Sequence, residues 1–172
     1  MIQPHMKICH WLVPGGESRR LLQETIDQLA REYNAPSFVP HVTLLAHDGE
    51  QYDAGKLQAA LRGRRTITLQ PVRFAETDSF TKSAFVEFAE SAALEELAVA
   101  VRLDVESDYQ FNAHLSLIYA ALDLETRQAI ARTMPLPPPI VCDEVWTVLT
   151  ETPIHSRAQV EAWQVIGRER LG

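Results

Sequence analysis

Cysteine is scarce in this sequence: Cys9 and Cys142 are the only two among 172 residues. Two thiols do not make the dense framework that staples small secreted folds, so both read as buried free thiols in a cytoplasmic chain. Long apolar runs are missing too, and none approaches the roughly 18 residues that a membrane span needs. Met1 to Lys7 carries Pro4 and His5 but no apolar stretch, so no secretory leader is expected. Positive charge is in deficit, with 16 Lys and Arg against 23 Asp and Glu and a net charge of −7. A protein that grips a long phosphate backbone needs a basic stripe, since neutralising phosphates supplies most of the affinity. Here the densest groups are Arg62, Arg64 and Arg65, and the pair Arg168 and Arg170, which read as solvated surface. Long nucleic acid is therefore not an expected partner, and a nucleotide ligand would be a small one. There is no His-x-x-x-His and no clustered Cys, so neither metal nor cofactor is expected. A Gly-rich phosphate loop and a nucleophilic-serine elbow are absent as well.

What is present is an ordinary globular composition, 46% apolar and 23% charged, at a length suited to a single domain over residues 1–172 and to a monomer. Lys7 to Val13 reads as a strand ending at Pro14-Gly15-Gly16, and Ser18 as the cap of a helix carrying Leu22, Ile26, Leu29 and Tyr33. Pro36 and Pro40 bracket a loop that feeds a strand from His41 to Ala46. Asp53 to Leu61 is a short helix; Thr66 to Thr77 and Ser83 to Ala89 form two long strands joined around Asp78-Ser79. Ser91 opens a helix with Leu94, Leu97, Ala98 and Val101 on one face. Phe111 to Tyr119 is strand-like, Asp123 caps a helix through Thr133, and the run Pro135 to Pro139 is a connector. Strands from Ile140 to Thr150 and from Gln159 to Gly167 complete an α+β chain.

One motif stands out. Phe38-Val39-Pro40-His41-Val42-Thr43-Leu44-Leu45 recurs as Phe111-Asn112-Ala113-His114-Leu115-Ser116-Leu117-Ile118. Both copies read Phe-x-x-His-apolar-hydroxyl-Leu-apolar. A single copy would be an unremarkable strand histidine beside a strand-forming hydroxyl; a matched pair suggests two similar lobes facing each other. Side chains two apart on a strand share a face. His41 therefore projects with Thr43, and His114 with Ser116, while Val42, Leu44, Leu115 and Leu117 point to the other side. Two imidazoles and two hydroxyls on one floor suit a phosphodiester. A neutral His takes a proton from water, a protonated one gives a proton to the leaving alkoxide, and hydroxyls bond the non-bridging oxygens. The two motifs look alike, so which His is base and which is acid stays open.

On these residues, with Trp11-Leu12-Val13-Pro14 and Tyr119, the sequence resembles the 2H phosphoesterase superfamily, most closely its cyclic phosphodiesterase branch. The resemblance covers nearly the whole chain. It implies a bilobal, pseudo-symmetric fold with two antiparallel sheets lining a central cleft and helices outside. It makes His41 and His114 catalytic, Thr43 and Ser116 phosphate-binding, and Trp11 and Tyr119 substrate-binding. The activity it implies is metal-independent hydrolysis of nucleoside 2′,3′-cyclic phosphate or ADP-ribose 1″,2″-cyclic phosphate. A non-catalytic nucleotide-binding module and a 2′-5′ or RNA-end phosphodiesterase of the same superfamily are the alternatives. Ala113 stands where a Pro is common before the second His.

Other residues carry weaker signals. Simple alternation puts Tyr119 on the face opposite His114 unless the strand ends first. Phe80 and Phe85 read as core, Lys82 as a solvated turn lysine, and His47 as a rim residue. His5, His10 and His155 carry no motif and read as structural or surface residues.

Overall fold

Pro14 and Gly15 end the first strand, β1 (His5–Pro14), and start the first helix, α1 (Gly16–Glu32). A Cβ at Gly15 would fall 2.2 Å from the Asp143 carboxylate, and Gly16 has φ +50, so this junction takes glycine at both positions. Gly15 rather than Ser18 occupies the cap position of α1. The Ser18 hydroxyl instead accepts the Val141 N–H at 3.0 Å. The computed structural model describes residues 5–172; the opening segment 1–4, part of the stretch read as lacking a leader, lies outside the described residues.

The remaining elements are β2 (Val42–Asp48), α2 (Ala54–Leu61), β3 (Ile67–Leu69), β4 (Pro71–Glu76), β5 (Ala84–Phe88), α3 (Ala92–Arg102), β6 (His114–Ile118), α4 (Leu124–Thr133), β7 (Ile140–Thr152), α5 (Arg157–Glu161) and β8 (Gln164–Arg170). Two antiparallel sheets result. The larger runs β2-β1-β7-β3, with β8 also paired to β7; the smaller runs β4-β5-β6. The edge strands β2 and β6, each carrying one copy of the motif, lie against one another. The helices sit outside: α3 against β2, α2 against β8, α4 against β4 and β5, and α1 chiefly against β6. The α+β expectation with two antiparallel sheets holds. Among the described residues no helix is long and apolar enough to cross a membrane.

Three expected boundaries move. The stretch 66–77 is two strands in different sheets, because Pro71 has no N–H to continue the β3 ladder and the chain crosses from one sheet to the other there. The stretch 159–167 is not all strand. Ser156 accepts the Gln159 N–H and caps α5, so β8 starts at Gln164. The second motif is extended only from His114, leaving 111–113 irregular.

The main core joins both sheets to the helices through Leu12, Ile26, Leu44, Leu97, Leu115 and Leu117. Full burial of each such side chain is worth about 1.5–3 kcal/mol. A second, smaller cluster of Cys9, Trp11, Val13, Trp146 and Val148 takes alternate positions on β1 and β7. Both cysteines are free and buried, and burial pushes the Cys142 thiol up to about 12.

Candidate active site

His41 stands immediately before β2 and His114 opens β6. The expected alternation holds around both: Val42, Leu44, Leu115 and Leu117 are fully buried in the core. Each ring is anchored in the same way. Nδ1 of His41 donates to the Val39 carbonyl at 2.7 Å, and Nδ1 of His114 to the Asn112 carbonyl at 2.8 Å. A carbonyl only accepts, so in both rings the proton sits on Nδ1 and Nε2 is left to act on a ligand. The anchor is the carbonyl two residues upstream in each copy, a structural repeat beneath the sequence repeat.

The surroundings differ. His41 is only 6% exposed. Its ring stacks on Trp11 with centroids 3.8 Å apart and 12° between planes. Tyr119 stacks on Phe38 at 4.0 Å and 9°, and its hydroxyl stands 3.4 Å from Nε2 of His41. Trp163 closes this group, perpendicular to Trp11, His41 and Tyr119 at 5.1, 6.1 and 5.7 Å. Burial is the main cause that pushes the pKa of His41 down to about 4; the Val39 carbonyl opposes it, and the charge of His114 adds to it. Burial also raises the Tyr119 hydroxyl well above its ordinary value, so it is a neutral phenol able to donate.

His114 is half-buried, with Phe85 edge-on at 5.5 Å. Its pKa is lowered first by burial and further by Lys82, against the Asn112 carbonyl and Glu87. The hydroxyls differ as well. Thr43 is half-buried and pairs across the ladder with Trp11, which places both on one face. Ser116 is buried and donates to the Thr81 carbonyl at 2.7 Å, with the Tyr119 hydroxyl as a further side-chain neighbour.

The structure thus gathers His41, Trp11 and Tyr119 into one contact group. Tyr119 reaches it because β6 ends at Ile118, which frees the next side chain from alternation. Phe80 is half-buried with its ring 6.4 Å from Tyr119. Phe38 and Trp163 belong to the site and were not singled out in the sequence. Phe38 carried a signal as the shared first residue of the repeat; Trp163 was hidden inside a stretch read as strand, although Ser156-x-x-Gln159 is a helix-start signature. Its indole Nε1 is enclosed without a hydrogen-bond partner among the described residues.

His47 is not at a rim. It is 1% exposed, and its Nε2 lies 3.1 Å from Nε2 of His10, which is also buried. The His47 Nδ1 donates to the Asp48 carbonyl, so its Nε2 accepts from His10, whose Nδ1 accepts from Thr147. That pair adjoins Leu57 and Val101 of the helices α2 and α3. A groove of about 280 Å³ between α1 and the proline connector, lined by Leu22, Thr25, Phe74 and Leu136, holds no histidine.

No family model and no curated protein matches the sequence. Solved structures do match over nearly the whole chain. Escherichia coli LigT complexed with 3′-AMP aligns with TM-score 0.61 at 16% identity, covering 98% of this chain and 99% of that one. LigT complexed with NADP+ aligns with TM-score 0.62 at 16% identity over 98% and 99%, and a crystal structure of a phosphoesterase with TM-score 0.58 at 16% identity over 97% and 99%. The fold of this chain is the one that LigT and this phosphoesterase share.

Proposed function

We propose that this protein hydrolyses small cyclic phosphodiesters without a metal, the substrate class being nucleoside 2′,3′-cyclic phosphates or ADP-ribose 1″,2″-cyclic phosphate. The observation that carries this reading is the matched pair of Nδ1 anchors, which leave Nε2 of two imidazoles unprotonated at the adjoining edges of two sheets. A fold shared with LigT, which has been crystallised with 3′-AMP and with phosphate, supports a nucleotide-type ligand.

The unequal surroundings favour one assignment of the roles. His41, the more enclosed ring, is the neutral base, and His114, nearer solvent, is the ring that takes up the pair's proton as pH falls. In the step, a water oxygen bonds to phosphorus and its proton passes to Nε2 of His41. The bond from phosphorus to one ring oxygen breaks, and that oxygen takes the proton from Nε2 of His114, leaving a phosphomonoester. Thr43 is placed to donate to a non-bridging oxygen, where negative charge grows. Trp11 and Tyr119 line the His41 side, next to any bound sugar or base.

A binding-only module has one observation in its favour: the Tyr119 hydroxyl already faces Nε2 of His41. Turnover decides between them. Incubation with 2′,3′-cyclic AMP, ADP-ribose 1″,2″-cyclic phosphate and a 2′-5′-linked dinucleotide, with the product phosphate located by ³¹P NMR, should show ring opening of a cyclic substrate. His41→Ala and His114→Ala should each lower kcat by about 10² to 10⁴. Full activity in both variants would sink the proposal, and tight binding with no product over hours would favour the module.

A further inference from the structure

We infer that Lys82 is a phosphate-binding residue of this site, filling on the β6 side the role that the Ser116 hydroxyl, bonded to the Thr81 carbonyl, does not fill. The inference rests on the reading of His41 and His114 as a phosphodiester site and adds a residue to it.

The two motifs are alike in sequence but not in their hydroxyls. Thr43 is half-buried with its side chain on the His41 face, whereas Ser116 is buried and its proton is committed at 2.7 Å. The Ser116 bond has a structural effect: it ties the short 3-10 turn Phe80–Lys82 to the strand that carries His114. Ser83, on the other side of Lys82, is tied to the segment just past the same strand by its hydroxyl bond to the Ala120 carbonyl. The backbone of Lys82 is held as well, with its N–H on the Ser79 carbonyl at 3.0 Å and its own carbonyl accepting from Thr77 N–H at 3.2 Å and Thr77 Oγ1 at 2.5 Å. A lysine so fixed on both flanks loses less freedom on binding than one on a free loop.

Its side chain lies toward the reaction centre. Nζ stands 4.6 Å from the centroid of the Phe85 ring, and that ring meets His114 edge-on at 5.5 Å. Phe85 pairs across the ladder with Ser116. The charge of Lys82 is close enough to lower the pKa of His114, and Lys82 makes no ion pair among the described residues. An unpaired ammonium beside a proton-donating imidazole, in a chain of net charge −7, attracts an anion to that spot. Phosphate is the anion that both groups can hold together, the ammonium on a non-bridging oxygen and the imidazole on the ester oxygen.

Inorganic phosphate is the probe, followed by ³¹P NMR and by the ring signals of His114. Lys82→Gln should weaken phosphate binding about tenfold, flatten its dependence on salt and raise the pKa of His114, whose other neighbours, Glu87 and the Asn112 carbonyl, remain. Lys82→Arg should restore all three properties, which a merely structural lysine would not require. Unchanged phosphate affinity in Lys82→Gln, with affinity lost in His114→Ala, would overturn the role of Lys82 and leave the site intact. Unchanged affinity in Lys82→Gln, His41→Ala and His114→Ala alike would overturn the site itself.

Discussion

His41 and His114 share an anchor and differ in what surrounds them, and the difference fixes a pH profile. The base must be unprotonated, so kcat/KM should rise with pH through about 4, the value to which burial depresses His41. The acid must be protonated, so kcat/KM should fall as pH climbs through the His114 value, which lies below the ordinary 6.5. Activity should therefore peak between about 4 and 6.5 and drop about tenfold per pH unit beyond, both limbs belonging to the coupled pair. Bound phosphate favours the charged imidazole, so the falling limb of kcat should lie at higher pH than that of kcat/KM. Rates measured from pH 3.5 to 9 test this, and a maximum above pH 7.5 would overturn the roles. The residues themselves were legible in the sequence, because a strand has period two and the motif occurs twice. The asymmetry was not, because Trp163, Phe85 and Lys82 reach the surroundings of the two rings through tertiary contacts that the motifs do not contain.

At the scale of elements, helix starts divide into those that the local chain decides and those that it does not. Asp123 caps α4 as its position suggests, its carboxylate accepting the Thr126 N–H at 2.8 Å, and Ser91 caps α3 by the same geometry at 3.2 Å. Ser18 looks equally suitable but lies inside α1 and serves β7 instead, because the Pro14-Gly15-Gly16 turn starts the helix early. Asp123→Ala should therefore cost about 1 kcal/mol of stability. Ser18→Ala should cost clearly less, since the exposed Val141 N–H can turn to water. Urea unfolding of the two variants compares them directly; equal losses would mean that Ser18 acts as a cap after all. The crossing at Pro71 was harder to foresee. Nothing within 66–77 except that proline marks the change of sheet, and which strand each half joins depends on β5 and β7, distant in sequence.

For the whole molecule, the buried histidines set an acid limit. His10 is buried beside His47 and its pKa is pushed down to about 4, by burial first and by His47 second. His41, next to the meeting edges of the two sheets, is depressed to the same value. An unfolded chain takes up protons on these rings near 6.5, while the folded chain takes them up only near 4. Between those values the unfolded state binds more protons, so stability is fully present above about 6.5 and is lost as pH falls towards 4. Each ring accounts for about 3 kcal/mol across the window, a large share of the 5–15 kcal/mol typical of a domain. Carboxylates with lowered pKa, such as Asp48, Asp104 and Asp123, start from 3.8 and lose their contribution below this range. Urea unfolding at pH 7, 5.5 and 4.5 should show a drop of several kcal/mol, and a flat series would disprove it. The same neutral His41 that is proposed as the base is thus a liability in acid, and the pH range of highest turnover expected from that proposal overlaps the range in which the fold weakens. Inorganic phosphate, which draws a proton onto His114 in the folded state alone, should recover part of the loss at pH 5.5 and clearly less of it in Lys82→Gln at the same concentration.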